Sequence, residues 1–234
     1  PSSGYTSRFI NAGEMENKGV ELGLRFSPIK KKGMRWDVFG TYTRNKNTVL
    51  SLPGGVDQIV LGGFSGMSIV AAVGQPYGTF YAIDLKKDEK GRQIIDTVSG
   101  NPLSTAAPVY LGSYQPKFIA SWGSSFNWKG FTASFLFDTK QGGYMFSRTK
   151  DILEFVGVSA STALNDREPF VWENSVYEGA NGEYIVNDKY KTDVYTYYTA
   201  ANVKPAGQDL IKAGYIKLRE VSLGYKLPQK WFNK

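Results

Sequence analysis

The chain contains no cysteine and no histidine among its 234 residues. The first absence removes disulfides and thiol chemistry, and it is equally compatible with a reducing cytosol and a bacterial envelope. The second removes the base of Ser-His-Asp and Cys-His nucleophile systems, and the two absences together remove the usual zinc ligands. No Walker loop, GxGxxG fingerprint or GxSxG elbow is present, so phosphate cradling and esterase chemistry have no anchor. Carboxylates are plentiful, yet no spacing selects a pair for glycoside hydrolysis. The chain therefore reads as a non-enzyme with no metal ligand, catalytic residue or cofactor. Charge is also thinly spread. The net charge of +7 comes from scattered Lys and Arg, without the basic stripe and stacking aromatics of a nucleic-acid surface, so no nucleic acid is expected as a partner. The one tight basic run, Lys30, Lys31 and Lys32, reads as a solvated turn.

What is present is aromatic and strand-like. Aromatics make up 15% of the chain, and 26 glycines accompany them, a composition that favours strands and turns over helices. In KGVELGLRFSPIKKKGMRWDVFGTYTRN (residues 18–45), Val20, Leu22, Leu24 and Phe26 alternate with Glu21, Gly23 and Arg25. After a Pro, Lys and Gly break, Met34, Trp36, Val38 and Tyr42 alternate with Arg35, Asp37, Thr41 and Thr43, with Phe39 as the misfit. Successive side chains leave opposite faces of a strand, so this predicts a hairpin with a turn over residues 27–33 and one apolar face. A second hairpin follows. Phe118, Ala120, Trp122, Phe126 and Trp128 share one face, Lys129 and Gly130 turn the chain, and Phe131, Ala133, Phe135 and Phe137 continue the apolar face. A fifth run, Val221, Leu223 and Tyr225, stops before Pro228.

The connections between these strands are unequal. Two are short, whereas residues 48–113 and 147–212 form connections far longer than ordinary loops. Alternating short turns and long loops, with strands of ten residues or so, suit an outer-membrane barrel, and Trp36 and Trp128 beside the short turns suit an interface girdle. A soluble β-sandwich that binds carbohydrate through loop aromatics remains the alternative reading of the same pattern. The uncharged segment 58–83 reads as a glycine-rich loop with a short strand, since its glycines and Pro76 oppose a membrane helix. IDLKKDEKGRQIID (residues 83–96) reads as a charged hairpin turn, because Lys86, Lys87 and Lys90 fall where a calcium loop needs oxygen ligands. In the long loops Tyr77, Phe80, Tyr81, Trp172, Tyr177, Tyr195, Tyr197 and Tyr198 are the candidate contacts for a substrate or a protein partner, with Tyr195, Tyr197 and Tyr198 foremost.

Five stretches in order, NAGEMENKGVEL (residues 11–22), GQPYGTF (74–80), LGSYQPKF (111–118), REPFV (167–171) and YIKLREVSLGYKLP (215–228), resemble the SusC/RagA family of TonB-dependent outer-membrane transporters of Bacteroidetes. The sequence departs at Lys217, where an Arg is usual, and at Glu220, where an Asn is frequent. The resemblance implies an all-β, antiparallel transmembrane β-barrel segment with long extracellular loops. Residues 1–234 would form the C-terminal portion of the barrel, with the plug, the TonB box and the final strands outside it. It further implies lipid contact at Val20, Leu22, Leu24, Phe26, Met34, Trp36, Val38, Phe118, Trp122, Phe131, Phe135 and Phe137. The implied activity is TonB-dependent uptake of an oligosaccharide or a peptide, with a SusD-like surface lipoprotein capping the barrel.

Overall fold

The computed structural model of the chain describes residues 13–200, 203–228 and 231; Asn11 and Ala12 of the first motif lie outside them. In chain order the wall begins with β1 (Glu14–Lys31) and β2 (Met34–Ser51). The first long connection then holds β3 (Gln58–Phe64), β4 (Met67–Ala72), β5 (Thr79–Ala82), β6 (Gln93–Ile94) and β7 (Val109–Ser113). The wall resumes with β8 (Phe118–Trp128) and β9 (Phe131–Gln141). The second connection holds β10 (Tyr144–Phe146), helix α1 (Arg148–Phe155), β11 (Ser175–Glu178), β12 (Tyr184–Val186), helix α2 (Val194–Thr199) and β13 (Leu210–Lys212), and β14 (Tyr215–Tyr225) closes the order.

β1, β2, β8, β9 and β14 pair in that order into one antiparallel sheet. Residues directly opposite one another share a face, and the register carries the apolar face across all five strands. Phe26 opposes Val38, which opposes Ser124; Trp122 opposes Phe137, which opposes Leu218. Met34, Trp128, Phe131 and Tyr225 form one row at the short-turn end. The opposite face is polar and internally bonded. Thr41 meets Ser121 at 2.6 Å, Arg35 and Ser27 both donate to Asp37, and Arg219 grips Asp138 through two N–H donors at 2.6 and 2.9 Å. Phe39, the misfit of the alternation, is on this polar side because Gly123 opposite it leaves room for its ring.

Two bulges hold this two-faced arrangement. The first turn is shorter than its sequence suggests: β1 runs through Ser27 and Pro28 to Lys31, and only Lys32 and Gly33 turn the chain. The register shifts by one residue between Phe26 and Ile29. That shift puts Ile29 opposite Trp36 on the apolar face and lets Pro28, which has no N–H for the ladder, sit in the bulge. A second shift between Leu218 and Glu220 returns Val221, Leu223 and Tyr225 to the apolar face. The second turn is a two-residue one as expected, with φ 46° at Lys129 and 93° at Gly130.

The wall has almost no core of its own. Among the described residues the fully buried apolar side chains are Val49, at the far tip of β2, and residues between Met67 and Tyr197 in the two connections. Val20, Leu22, Leu24 and Phe26 are 51 to 63% exposed. The 11 residues of β8 rise about 33 Å, which a tilt of about 40° reduces to roughly 25 Å, the height of an outer-membrane apolar band. Both outer strands, β1 and β14, keep one unpaired edge, so the sheet is an open part of a barrel. No helix among the described residues is long and apolar enough to cross a membrane.

Leu24→Arg is expected to destabilise the folded barrel by roughly 2–4 kcal/mol, the cost of an Arg near the midplane of a lipid face, while Thr41→Arg on the polar face should cost far less. Urea titrations of the refolded full-length protein in lipid vesicles measure both, and equal costs would show that the faces are assigned the wrong way round.

Candidate recognition site

The two long connections fold together against the far end of the wall. They are not loose loops. Residues 58–83 carry more strand than their glycine-rich sequence suggests, since β3, β4, β5 and β7 pair into a four-stranded sheet. Parallel pairing of β6 with β11 then joins the first connection to the second. Gly100 is required at this seam: its φ is 73°, and a Cβ there would lie 1.8 Å from the Lys191 carbonyl oxygen. Gln208 from the second connection donates to Asp84 of the first at 2.6 Å. Asp88 closes the charged turn by accepting from the Arg92 side chain and from the Lys90 and Arg92 backbone amides.

Two of the sequence motifs clamp this body to the wall. Gln75 and Gly74 exchange backbone hydrogen bonds with Val49 at the tip of β2, and the Tyr77 amide donates to Asn47 at 2.8 Å. Gln115 donates its side-chain amide to the Tyr77 carbonyl at 2.9 Å. The Tyr114 ring lies over Gly78, where a Cβ would be 1.8 Å from it. GQPYGTF and LGSYQPKF are thus two halves of one lock.

The candidate aromatics divide by environment. Phe80, 3% exposed, packs with Met67 and Ala82 in the core of the first connection, so it offers no surface to a ligand. Tyr197, 4% exposed, is likewise interior, and burial pushes its hydroxyl pKa well above the usual tyrosine value. Both corrections have the same cause: each connection is long enough to build a core and uses its aromatics to fill it. Tyr81 lies against Tyr110 in a tilted pair, centroids 5.1 Å apart. Tyr177 lies against Tyr190 at 4.9 Å, with the Lys189 ammonium 4.9 Å from its ring. Trp172 is half-buried in a chain of rings running from Phe170 through Trp172 and Tyr197 to Tyr198, with centroid spacings of 4.8, 5.1 and 4.9 Å. Tyr195, by contrast, is 76% exposed.

Tyr195 and Tyr198 border a cavity of about 260 Å³ between α1 and α2, shared with Glu154, Phe155, Arg167 and Val194. The structure brings Tyr195 and Tyr198 together here and leaves Tyr77, Tyr81 and Tyr177 elsewhere. Arg167, the first residue of the REPFV motif, reaches the cavity from an unusual backbone. Asn165, Asp166 and Arg167 all have left-handed φ, at 48°, 53° and 69°. Such residues each cost roughly 1 kcal/mol or more, offset here by Arg167 donating to the Gly157 carbonyl at 3.0 Å and by Asn165 bonding the carbonyls of Glu168 and Pro169. Neither helix was apparent from periodicity, because each is under three turns long. Their caps were nonetheless legible: Ser147 accepts from the Lys150 amide and Asp193 from the Thr196 amide.

Beneath the cavity is a buried ionic cluster that joins residues distant in sequence. The Lys204 ammonium contacts Glu154 at 2.6 Å and Asp209 at 2.5 Å, and Lys150 reaches both carboxylates at 3.2 Å. Burial works against the charged form of Glu154, but hydrogen bonds from Lys204 and Ser161 and the nearby ammonium charges outweigh it, so its pKa lies below the usual glutamate value. For Lys204 burial opposes the charge, while its bonds to Asp209 and Glu154 hold its pKa above the usual lysine value. The carboxylate of Glu154 is thereby committed to holding the loop and is not free for a ligand.

A sheet with one apolar exposed face, one bonded polar face, short turns at one end and folded connections at the other defines a segment of a transmembrane β-barrel wall. No family model matches the chain. It is 25% identical to TonB-dependent receptor P3 of Formosa agariphila over 99% of its length, and 27% identical to TonB-dependent receptor P26 of the same organism over 62%. A solved structure of the RagAB peptide transporter superposes on 99% of the chain with a TM-score of 0.65 at 20% identity, and an 'open-open' state of the RagAB peptide importer does so with 0.62 at 19%. The chain spans 24% and 17% of the length of the two curated relatives and about a quarter of the structural ones. The fold is that of part of a TonB-dependent transporter barrel, the SusC/RagA resemblance holds over nearly the whole chain, and the location is the outer membrane.

Lys204→Met, which leaves two buried carboxylates to Lys150 alone, is expected to loosen the second connection by about 3–5 kcal/mol. Faster cleavage between residues 147 and 212 in limited proteolysis of the membrane-embedded protein measures this, and an unchanged rate would show the cluster to be dispensable. Acid should act in the same direction. With its pKa depressed in the fold, Glu154 contributes fully above about pH 4.3, the ordinary glutamate value, and the contribution is lost as the pH falls through the folded value. Lys204, raised in the fold, contributes fully below about pH 10.4 and loses its contribution as the pH rises through its folded value.

Proposed function

We propose that this chain is the C-terminal part of the barrel of an energy-coupled outer-membrane importer, supplying wall strands and extracellular recognition loops. The observation that carries the reading is the placement of the buried core: it lies in the connections at one end, while the wall exposes an apolar band that only lipid can cover. On this reading Val20, Leu22, Leu24, Phe26, Met34, Trp36, Val38, Phe118, Trp122, Phe131, Phe135 and Phe137 contact lipid. Arg35, Asp37, Asp138 and Arg219 line the lumen, where charges are tolerated. Coupling to TonB would run through a plug and TonB box carried elsewhere in the longer protein. No chemical reaction is proposed.

The cargo we propose is an oligosaccharide, with Tyr195 as the exposed ring on which a sugar can stack. A peptide cargo is the second reading, favoured by the likeness to the RagAB peptide transporter. A SusD-like surface lipoprotein is the proposed cap. Phe155 and Val156, 56 and 57% exposed on the rim shared with Tyr195, give it an apolar landing surface of the kind partners cover.

Orientation and recognition are tested separately. Cysteines at Lys32 and Lys129, in the short turns, should resist a membrane-impermeant maleimide on intact cells, whereas one at Val98, 93% exposed in the first connection, should label. The reverse pattern would invert the topology. In the full-length transporter Tyr195→Ala should keep normal surface levels but lower cargo uptake severalfold or lose the co-purifying lipoprotein, since removing an exposed stacking ring costs on the order of 1 kcal/mol. Tyr197→Ala should instead make the loop protease-sensitive. Unchanged uptake and unchanged lipoprotein recovery in Tyr195→Ala would remove that residue from recognition.

A further inference from the structure

The short-turn end of the wall gathers charge of one sign. Lys30, Lys31 and Lys32 of the first hairpin, Lys129 of the second and Lys226 after β14 are all exposed, and among the described residues none of them forms an ion pair. Backbone bonds hold the three segments side by side: the Lys129 amide donates to the Gly33 carbonyl at 2.9 Å, and the Lys226 amide to the Gly130 carbonyl at 2.8 Å. The carboxylate nearest to this end, Asp37, is engaged by Arg35 at 2.7 Å and by Ser27. A shallow depression of about 520 Å³ runs along this end, bordered by Lys31, Trp128, Lys129 and Lys226.

Register decides which lysines can meet lipid. Lys31 opposes Met34, and Met34 opposes Trp128, so Lys31 shares the apolar outer face with that indole. This follows from the bulge at Ser27 and Pro28: without the one-residue shift Lys30 would take the outer face. Lys129 turns back over the same indole, its ammonium 5.4 Å from the ring centroid. The row at the border of the apolar band thus runs Lys31, Met34, Trp128, with the Lys129 ammonium over the indole and the depression shared by Lys31, Trp128 and Lys129, and Phe131 and Tyr225 follow in the row at a centroid distance of 4.4 Å. An indole at this depth rests at the level of glycerol and carbonyl groups, and long cationic side chains beside it extend toward the headgroup layer.

We propose that Lys129, over Trp128, and Lys31, across the same depression, form a binding site for the phosphate headgroup of an anionic phospholipid in the periplasmic leaflet. Lys226 and Lys30 reinforce the field from the inner rim. The site rests on the membrane orientation proposed above, which places the short turns at the periplasmic surface. Its selectivity is electrostatic: a zwitterionic headgroup carries its own cation, whereas phosphatidylglycerol offers an uncompensated phosphate to both ammonium groups. The lysine run is therefore more than a solvated turn, because the bulge aims one member of it at lipid.

The test uses the full-length transporter, delipidated in a neutral detergent, titrated with phosphatidylglycerol or phosphatidylcholine and examined by native mass spectrometry. Lys31→Gln with Lys129→Gln should lower the phosphatidylglycerol retained, by about fivefold in affinity at this site for each ammonium removed, and leave phosphatidylcholine unchanged. Lys86→Gln with Lys87→Gln, which removes the same charge from the first connection, should change neither. Millimolar inorganic phosphate should not displace the lipid, since it lacks the chains that Trp128 and Phe131 contact. Equal phosphatidylglycerol retention by the Lys31 and Lys129 variant, an equal loss in the Lys86 and Lys87 control, or displacement by phosphate would each overturn the site. If the double variant fails to fold in membranes, the single Lys129→Gln variant, in a two-residue turn, carries the same comparison. Surface labelling of a Lys32→Cys protein on intact cells would overturn the orientation, separately from the lipid count.

Discussion

The wall depends on keeping one face apolar and the other polar across five strands. Its strands repeat with a period of two, so a slip of one residue anywhere would exchange Leu24 with Arg25 or Val38 with Asp37. At two of the wall's bulges the sequence breaks its own alternation, and each of these is placed so that the faces do not exchange. At Ser27 and Pro28 the extra residue brings Ile29 opposite Trp36. At Arg219 it returns Val221 to the row of Phe135, and leaves Arg219 free to bond Asp138 on the polar side.

This division of faces explains where the core is. A sheet that presents apolar side chains outward and bonded polar groups inward cannot bury a hydrophobic core between layers, and the wall does not. The two connections do so instead, combining small sheets, two short helices and a chain of four aromatic rings into a body clamped to the wall through Val49 and Asn47, with the Gly78 and Tyr114 contact bracing the clamp from within the first connection. The buried cluster of Lys150, Glu154, Lys204 and Asp209 sets the path of the second connection. Removing Lys204 would leave the buried carboxylates of Glu154 and Asp209 to the partly exposed Lys150, a cost that falls on the path of the loop.

The functional surface inherits these commitments. Aromatics that a sequence places in a loop are drawn either to its core or to its surface, and in the α2 helix they divide by helical position: Tyr195 faces solvent while Tyr197 faces Trp172. Arg167 reaches the same cavity because the chain bends through three left-handed residues, Asn165, Asp166 and Arg167 itself. A recognition surface therefore emerges from residues whose neighbours are occupied in holding the loop together.

The sequence by itself determined the five wall strands, their two faces, the second two-residue turn and the imbalance between short and long connections, because these follow from local alternation and turn chemistry. The ordered motifs carried the family resemblance as well. The tertiary structure alone decided the rest. The extent of β1 through Pro28 was hidden, since a proline in a turn and one in a bulge read alike until the partner strand is present. So were the burial of Phe80 and Tyr197, the two short helices and the ionic cluster, which joins Lys150 to Asp209 across 59 positions. Contacts of that separation depend on how a long connection folds back on itself, and no periodicity within it records that.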